Sequence, residues 1–227
     1  MQPAESPFPP GWWGTSLENV GLGKKRPNVG TYGRYNFDHL PPLPFDLHGD
    51  FAWLAVAPTH QQNIGNQQAD DNRQALAQLH AAAARIGLQL PPAFTHFMET
   101  PTLHARIRSN TDCFLDLCPA PVPAPIGGGY LIRFLADSQG CVFWYLYLTA
   151  DSSDHAVVSS NDFYGTEAEQ WQDEPPEPHE IVFAAESFEA FMCRFWLENE
   201  IWFAEWQQTP LPDVGSEYIE RYRSGEA

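Results

Sequence analysis

Residues 130–149, YLIRFLADSQGCVFWYLYLT, predict two β-strands joined by a tight turn. Both arms are rich in β-branched, aromatic and long apolar side chains, which strands favour. Asp137 and Ser138 suit the opening of a type I turn, and Gly140 supplies the positive φ that closes it. Residues 141–148 are apolar at nearly every position, whereas a strand solvated on one face would alternate. We therefore expect the second arm to be the central strand of a sheet, covered on both faces by the apolar helices that flank it in sequence.

Two helices are predicted upstream of this hairpin. Residues 69–87 carry Asp70 and Asp71 at the positive end of a helix and Gly87 at the position of a C-cap. Apolar residues recur there at spacings of three and four, as on one face of a helix. A Leu-Pro-Pro sequence then favours a short helix over residues 93–99.

Three further segments have strand character. Residues 51–57, FAWLAVA, predict a short strand, and residues 104–117 alternate well enough for one strand or a broken pair. Residues 155–160, HAVVSS, predict another strand after the hairpin. Such an order of helices followed by strands is typical of an α+β domain.

The C-terminal part begins with a helix that Ser187 is expected to cap and that runs to about residue 206. This helix is apolar over more than half of its circumference, so it is either deeply buried or presents aromatic side chains to a partner. Residues 207–227 form a polar tail, and we expect it to fray after Pro212. The predicted fold is α+β, with a central antiparallel or mixed sheet packed by N-terminal helices and a C-terminal helix.

The first 60 residues are predicted to be an irregular extension rich in proline, glycine and aromatic residues. It precedes a domain over residues 61–206, and the polar tail follows. Exposed tryptophans are uncommon, so the extension is expected to pack on the body of the protein, although a partner-binding arm is an alternative. The residues expected to clamp it are Trp12, Trp13, Tyr32, Tyr35 and Phe37.

The charge of the chain is strongly acidic and unevenly distributed. The formal net charge is −17; residues 1–133 contain 9 Lys or Arg and 10 Asp or Glu, whereas residues 134–227 contain 3 and 19. A half with a net charge of −16 repels phosphate backbones, so no nucleic-acid partner is expected. The same charge attracts a basic partner and speeds its association.

The sequence is typical of a cytoplasmic protein. It begins without the basic and apolar regions of a signal peptide, and it has no apolar run of about 18 residues, so no membrane association is expected. Its four cysteines show no C-x-x-C spacing and are expected to be reduced thiols. Cys141 and Cys193 lie in apolar runs and are expected to be core residues.

Three motifs resemble those of the SUKH superfamily. They are Leu90-Pro91-Pro92 before a short helix, the hairpin with its acidic-glycine turn, and the start of the closing helix. The resemblance covers roughly residues 69–206; Glu99-Thr100-Pro101 replaces the usual glycine-rich turn, and the first 60 residues have no counterpart. The residues that match the closing helix are Ile181, Ala185, Ser187, Phe188 and Phe191.

The resemblance implies a non-enzymatic α+β protein without a cofactor. Many bacterial members look like immunity proteins of contact-dependent or polymorphic toxin systems, and they neutralise toxins, often nucleases, by binding them. Others, similar to a fungal cell-wall assembly regulator, are interaction scaffolds. We therefore expect an immunity protein whose acidic surface binds a basic toxin, as in a toxin–antitoxin pair. The expected contact residues are Asp162, Phe163, Tyr164, Glu167, Glu169, Trp171, Asp173, Glu174 and Glu177.

Two alternatives to a toxin-binding protein remain open. One is an interaction scaffold with several weak partners. The other is a metal-dependent hydrolase using Asp46, His48 and Asp50, because alternate residues of an extended segment point to the same side. The motif G-x-S-x-G of serine hydrolases is absent from the sequence, so no catalytic nucleophile is predicted.

Overall fold

The computed structural model describes residues 1–166 and 180–225 of the 227-residue chain. Within these ranges the chain forms eight strands and five α-helices, numbered here along the sequence. The strands are β1 Trp12–Gly14, β2 Gly33–Tyr35, β3 Phe114–Leu115, β4 Val122–Pro123, β5 Tyr130–Ala136, β6 Phe143–Leu148, β7 His155–Ser160 and β8 Val182–Ala185. The helices are α1 Ala69–Arg85, α2 Pro92–Met98, α3 Pro101–His104, α4 Phe188–Gln207 and α5 Asp213–Ser224.

The central element is an antiparallel sheet, which confirms the predicted α+β class. Within the described ranges its strands follow the order β3-β5-β6-β7-β8, and β4 also pairs with β5. The strand β6 lies in the middle, as the continuous apolar run predicts. An isolated parallel bridge between Pro10 and Phe183 adds the N-terminal segment to the β8 edge.

The turn between β5 and β6 has the predicted geometry. Gly140 has φ of +69°, and its backbone N–H donates to the carbonyl oxygen of Asp137 at 2.9 Å. The carboxylate of Asp137 accepts from the N–H of Gln139 at 3.0 Å, which stabilises the turn further. Cys141 is exposed, so its prediction as a core cysteine is wrong: it still belongs to the turn, and β6 begins at Phe143.

One face of the sheet packs on helices through aromatic rings. The ring of Phe188 in α4 lies 5.0 Å from those of both Phe134 in β5 and Phe94 in α2. The helix α4 begins where predicted, because Ser187 Oγ accepts from the N–H of Ala190 at 3.1 Å. These contacts make α4 the main helical layer over the sheet.

Among the described residues, the opposite face of the sheet is covered by the N-terminal segment and loops, and its apolar cluster includes no residue of the five α-helices named above. The ring of Phe8 packs edge-on against Tyr147 at 5.0 Å, and the buried Tyr164 packs beside it in the same cluster. Gly11 N donates to the carbonyl oxygen of Phe183 at 2.9 Å, which holds the segment along β8. A segment without regular structure can cover this face because its backbone bonds to the exposed edge strand.

The N-terminal extension is clamped onto the body as predicted. Trp12 and Tyr35 are buried in the main core, and β1 and β2 pair with each other. Arg26, the last residue of the basic run, is fully buried against the carboxylate of Glu198. The extension is therefore joined to α4 by an ion pair that the local sequence does not indicate.

The predicted fraying after Pro212 is wrong, because residues 213–224 form α5. Tyr218, Ile219 and Tyr222 on this helix are 1–3% exposed and belong to the main core. They recur at helical spacing within a polar sequence, so a narrow apolar stripe is enough to dock the helix. None of the helices in the described ranges is long and apolar enough to cross a lipid bilayer.

The predicted strand over residues 51–57 is also wrong. The segment forms a turn followed by a single 3₁₀ turn at Leu54–Val56, and Phe51 has φ of +55°. The buried carboxylate of Glu189 accepts from the N–H of Phe51 at 2.9 Å and from Trp53 Nε1 at 3.1 Å. The first bond satisfies a backbone N–H that a sheet would otherwise pair, and the second satisfies the indole N–H. The apolar run is therefore buried without becoming a strand.

Residues 104–117 form less strand than predicted. The first residue still belongs to α3, and only β3 joins the sheet. Ile64 N donates to the carbonyl oxygen of Ile107 at 2.9 Å, and Leu115 N donates to that of Ile64 at 2.8 Å. The segment therefore bonds partly to an irregular segment near residue 64 and partly to β5, where Asp116 N donates to the carbonyl oxygen of Phe134 at 3.0 Å.

Candidate partner-binding surface

The predicted contact segment begins directly after β7. Asp162, Phe163 and Tyr164 are described by the structure. The other predicted contact residues lie outside the described ranges: Glu167, Glu169, Trp171, Asp173, Glu174 and Glu177.

Tyr164 holds the start of this segment against the sheet. Its side chain is buried, and its ring packs edge-on against Tyr145 at 5.7 Å. The Tyr164 N–H donates to the Tyr145 hydroxyl at 3.0 Å, and that hydroxyl donates to the carbonyl oxygen of Asp162 at 2.8 Å. The side chains that remain accessible at this point are those of Asp162 and Phe163, both of which are partly exposed.

Phe163 is held in place by an ion pair below its ring. The guanidinium carbon of Arg133 lies 4.1 Å from the ring centroid, and Arg133 Nε donates to Asp116 Oδ2 at 2.7 Å. The edge of Phe143 also packs against Phe163, with centroids 5.3 Å apart. Because its neighbours are fixed, Phe163 is a preorganised aromatic group beside the acidic Asp162.

A second accessible aromatic surface lies in the last turns of α4, and we call Trp202, Phe203 and Trp206 the aromatic strip. Trp206 is 72% exposed, and its ring stacks on Trp202 at 5.5 Å with an interplanar angle of 12°. The ring of Phe203 packs edge-on against Trp202 at 5.1 Å. The helix is buried at Ile201, so the strip is where α4 changes from core to surface. The earlier turns of α4 are therefore buried, and its last turns expose aromatic side chains.

The aromatic strip is anchored by a charged group behind it. The guanidinium carbon of Arg108 lies 4.0 Å from the Phe203 centroid, and Arg108 makes two hydrogen bonds of 2.8 Å to the carboxylate of Glu200. His60 Nε2 lies 3.4 Å from the same carboxylate. Burial raises the pKa of Glu200, but the hydrogen bonds and charges of His60 and Arg108 lower it below its ordinary value. The carboxylate stays ionised and keeps Arg108 under the aromatic ring.

One acidic side chain neighbours the aromatic strip along α4. Glu205 directly precedes Trp206 and is exposed. It also lines a groove of 530 Å³ between α4 and α5, together with Leu211, Ile219 and Glu220. Arg223 lies in the same groove, where its guanidinium donates to a backbone carbonyl of the N-terminal extension. The strip thus combines an exposed aromatic face with a neighbouring carboxylate, an arrangement that suits a Lys or Arg side chain of a partner.

The residues of the predicted metal site are not gathered into a cluster. Asp46, His48 and Asp50 are exposed in an irregular segment, and Asp50 Oδ1 accepts from the N–H of Ala52 at 3.0 Å. In the part of the chain that the structure describes, no group of three or more His, Cys, Asp or Glu side chains could hold a metal ion. Gly49 has φ of +83°, so the backbone between His48 and Asp50 lacks the continuous extended conformation on which the prediction depended.

The sequence indicates that the residues of the aromatic strip share a helix face, but it does not indicate that this face is exposed. Trp202 and Trp206 are four residues apart and therefore share one helix face, next to Phe203. The same spacing occurs among the buried aromatics earlier in α4, so sequence alone does not show where burial ends.

Comparison of the chain with protein-family models, curated proteins and solved structures found no match.

Proposed function

We propose that this protein is an immunity protein that binds and neutralises a basic protein toxin. The observation that carries the proposal is the aromatic strip, in which the exposed Trp206 stacks on the partly exposed Trp202, on a chain with a net charge of −17. The resemblance to SUKH domains supports the choice of a toxin as the partner.

The aromatic strip has the chemistry of a binding hot spot. Tryptophans contribute large amounts of contact area and are enriched among the residues that dominate binding energy. Stacking on Trp202, which itself packs against the anchored Phe203, limits the rotamers of Trp206 before a partner arrives, so less side-chain entropy is lost on binding. A Lys or Arg side chain can then lie over the indole face while Glu205 offsets its charge.

The acidic surface contributes mainly to the rate of association. Long-range attraction between a chain of charge −17 and a basic partner raises the on-rate, and salt screens it over about 10 Å at about 0.1 M. Individual exposed carboxylates contribute little to affinity. Asp162 and Phe163 provide a second contact point at the start of the predicted acidic segment.

The proposal is tested by capturing a partner with the tagged full-length chain from its native cells, with low-salt and then high-salt washes. We expect one stoichiometric partner with a basic domain, held through the low-salt wash. That partner must be toxic when expressed alone and harmless when expressed together with this protein. Several substoichiometric partners would favour the scaffold alternative, and a captured partner without toxicity would contradict the immunity function.

The binding surface is located with two sets of variants of the same chain. The double variant Trp202→Ala/Trp206→Ala is expected to weaken neutralisation. Its complex with the toxin should dissociate faster by about 30-fold or more, because a hot spot of about 2 kcal/mol is lost. A charge-reversed segment covering residues 162–177 is expected to slow association. Val56→Ala is the matched control, because Val56 is 88% exposed and belongs to neither of the two surfaces. If both sets bind the toxin with unchanged rates, these two surfaces are not the binding site.

A further inference from the structure

A cavity of 590 Å³ lies between α1, the α2–α3 region and the segment around residue 65. Its deeper wall is formed by the buried side chains of Leu76, Met98 and Leu115, and its outer wall includes Ala77 and Pro101. A volume of this size, with mostly apolar walls and a few polar groups, is typical of small-molecule sites. None of its lining residues belongs to the aromatic strip or to the segment after β7.

His104 is the buried polar group of this cavity. Its Nε2 lies 2.7 Å from the carbonyl oxygen of Phe97, and a carbonyl can only accept, so Nε2 carries the hydrogen. Burial lowers the pKa of His104, which favours the neutral ring, although the hydrogen bond to Phe97 acts in the opposite direction. In the neutral ring with hydrogen on Nε2, Nδ1 is an acceptor.

The acceptor Nδ1 lies at the cavity wall. A Cβ placed on Gly65 would be 3.3 Å from His104 Nδ1 and 2.7 Å from His104 Cβ, and Gly65 itself lines the cavity. A side chain at position 65 would clash with His104 and fill the space beside Nδ1, so the environment of this imidazole edge depends on the glycine. Among the described residues no group donates a hydrogen bond to Nδ1.

The charged groups of the cavity are at its rim and are paired. His80 Nε2 lies 4.0 Å from Glu99 Oε1, and Arg73 donates to Asp70 Oδ1 at 2.8 Å. All four side chains are exposed. The interior therefore offers mainly apolar surface together with the neutral acceptor Nδ1 of His104. The amides of Asn63 and Asn72 also line it but are hydrogen-bonded within the chain, and none of the described charged side chains that line the cavity is buried.

We propose that this cavity binds a small, neutral and mainly apolar molecule that carries one hydroxyl or N–H donor, which donates to His104 Nδ1. Burial of the apolar body provides the affinity. The bond from Nε2 to Phe97 selects the tautomer, so the site prefers a donor over an acceptor at this position. The inference does not depend on the proposed toxin-binding function, because the two use different residues.

The test uses two probes of nearly equal shape, 2-naphthol and 2-methylnaphthalene, titrated into the ¹⁵N-labelled full-length chain. We expect both to shift amide resonances of α1, α2 and α3, and 2-naphthol to bind about five-fold more tightly, as one neutral hydrogen bond of about 1 kcal/mol provides. Equal affinities for the two probes, or shifts that do not involve these helices, would overturn the proposal.

Variants separate the hydrogen bond from the apolar cavity. His104→Phe is expected to remove the preference for 2-naphthol while both probes still bind. Ala77→Phe, which places a ring in the cavity from an exposed helix position, is expected to abolish binding of both. Gln78→Phe is the matched control, because Gln78 is exposed and does not line the cavity. Should His104→Phe fail to fold, the two α1 variants still decide: binding that survives Ala77→Phe unchanged contradicts the site.

Discussion

Glu198 accepts hydrogen bonds from three sides in the core. Two donors come from the N-terminal extension: the guanidinium of Arg26 and Trp12 Nε1, the second at 2.8 Å. The third is the Tyr218 hydroxyl of α5, which donates to the Glu198 carboxylate at 2.8 Å. Arg194 donates in turn to the Tyr218 hydroxyl at 2.8 Å. Burial alone would lower the pKa of Arg26, but the charge and hydrogen bond of Glu198 raise it, so the pair is ionised.

Replacing Glu198 by Gln is expected to destabilise the protein by about 3–5 kcal/mol, because Arg26 would remain buried without a counter-charge. Urea unfolding followed by tryptophan fluorescence measures this loss. The matched control is Asp70→Asn, which removes the charge from an exposed pair with Arg73 and should cost less than about 1 kcal/mol. A loss below about 1 kcal/mol for Glu198→Gln would show that the ion pair does not hold the extension in place.

His104 makes stability dependent on pH in a defined direction. Burial lowers its pKa below the ordinary value of about 6.5, so the unfolded chain binds more protons than the folded chain below that pH. The free energy of unfolding should therefore fall as the pH is lowered from about 7 to about 5.5, by up to about 1.4 kcal/mol per pH unit for each such group. His155, whose pKa is also lowered by burial, adds a contribution of the same sign.

Urea unfolding at several pH values in this range checks the prediction. His104→Phe should reduce the slope with pH, whatever it does to stability at neutral pH. A slope equal to that of the parent chain would mean that His104 does not contribute to it. The range lies above the region in which the carboxylates titrate, so Glu200 does not interfere.

At the scale of elements, the β5–β6 hairpin depends on its turn. Gly140 has φ of +69°, and a Cβ added there would meet nothing closer than 3.8 Å. The consequence of a substitution is therefore backbone strain alone, without a steric clash.

Gly140→Ala should destabilise the protein by about 1–2 kcal/mol, the cost of a left-handed conformation for a residue with a Cβ. Gly140→Asn is the matched control and should cost less, because Asn tolerates this region better. Thermal or urea unfolding of the two variants compares them. Equal losses for Ala and Asn would indicate that the conformation of the turn is not the cause.

At the scale of the whole molecule, the two ends of the chain meet on α4. The extension supplies Trp12 and Arg26, which both bond to Glu198 of α4. The helix α5 supplies Tyr218, which also bonds to Glu198, and Tyr222, whose ring packs against that of Tyr218. The guanidinium of Arg26 lies 4.4 Å from the ring centroid of Tyr35 and 5.9 Å from that of Tyr222. The ends therefore form part of the core and not a pair of appendages.

Ending the chain after Pro212 is expected to destroy cooperative unfolding. It removes three core side chains of α5, each of which contributes about 2–5 kcal/mol, and it deprives Glu198 of a hydrogen bond. The control ends the chain after Ser224, which retains α5 and should unfold like the parent. Circular dichroism during thermal unfolding distinguishes the two, and a cooperative transition in the shorter chain would show that α5 is dispensable.

The sequence by itself determined the elements whose signals are local. The hairpin turn at Gly140, the apolar β6, the helix α1 and the Ser187 cap all depend on residues within a few positions of each other, whose backbone preferences and periodicity can be read directly. The α+β class follows from their order. The same reasoning failed for residues 51–57, because an apolar run is buried equally well in a turn when the distant Glu189 satisfies its N–H groups.

Only the tertiary structure decided which residues meet across long separations. The pairing of Arg26 with Glu198 spans 172 positions, and nothing in a basic run indicates that one of its members is buried. The point at which α4 changes from core to surface, and the close packing of Gly65 beside His104, likewise depend on neighbours that the local pattern does not specify. Periodicity shows which side chains share a face, whereas burial and electrostatics depend on what the rest of the chain places against that face.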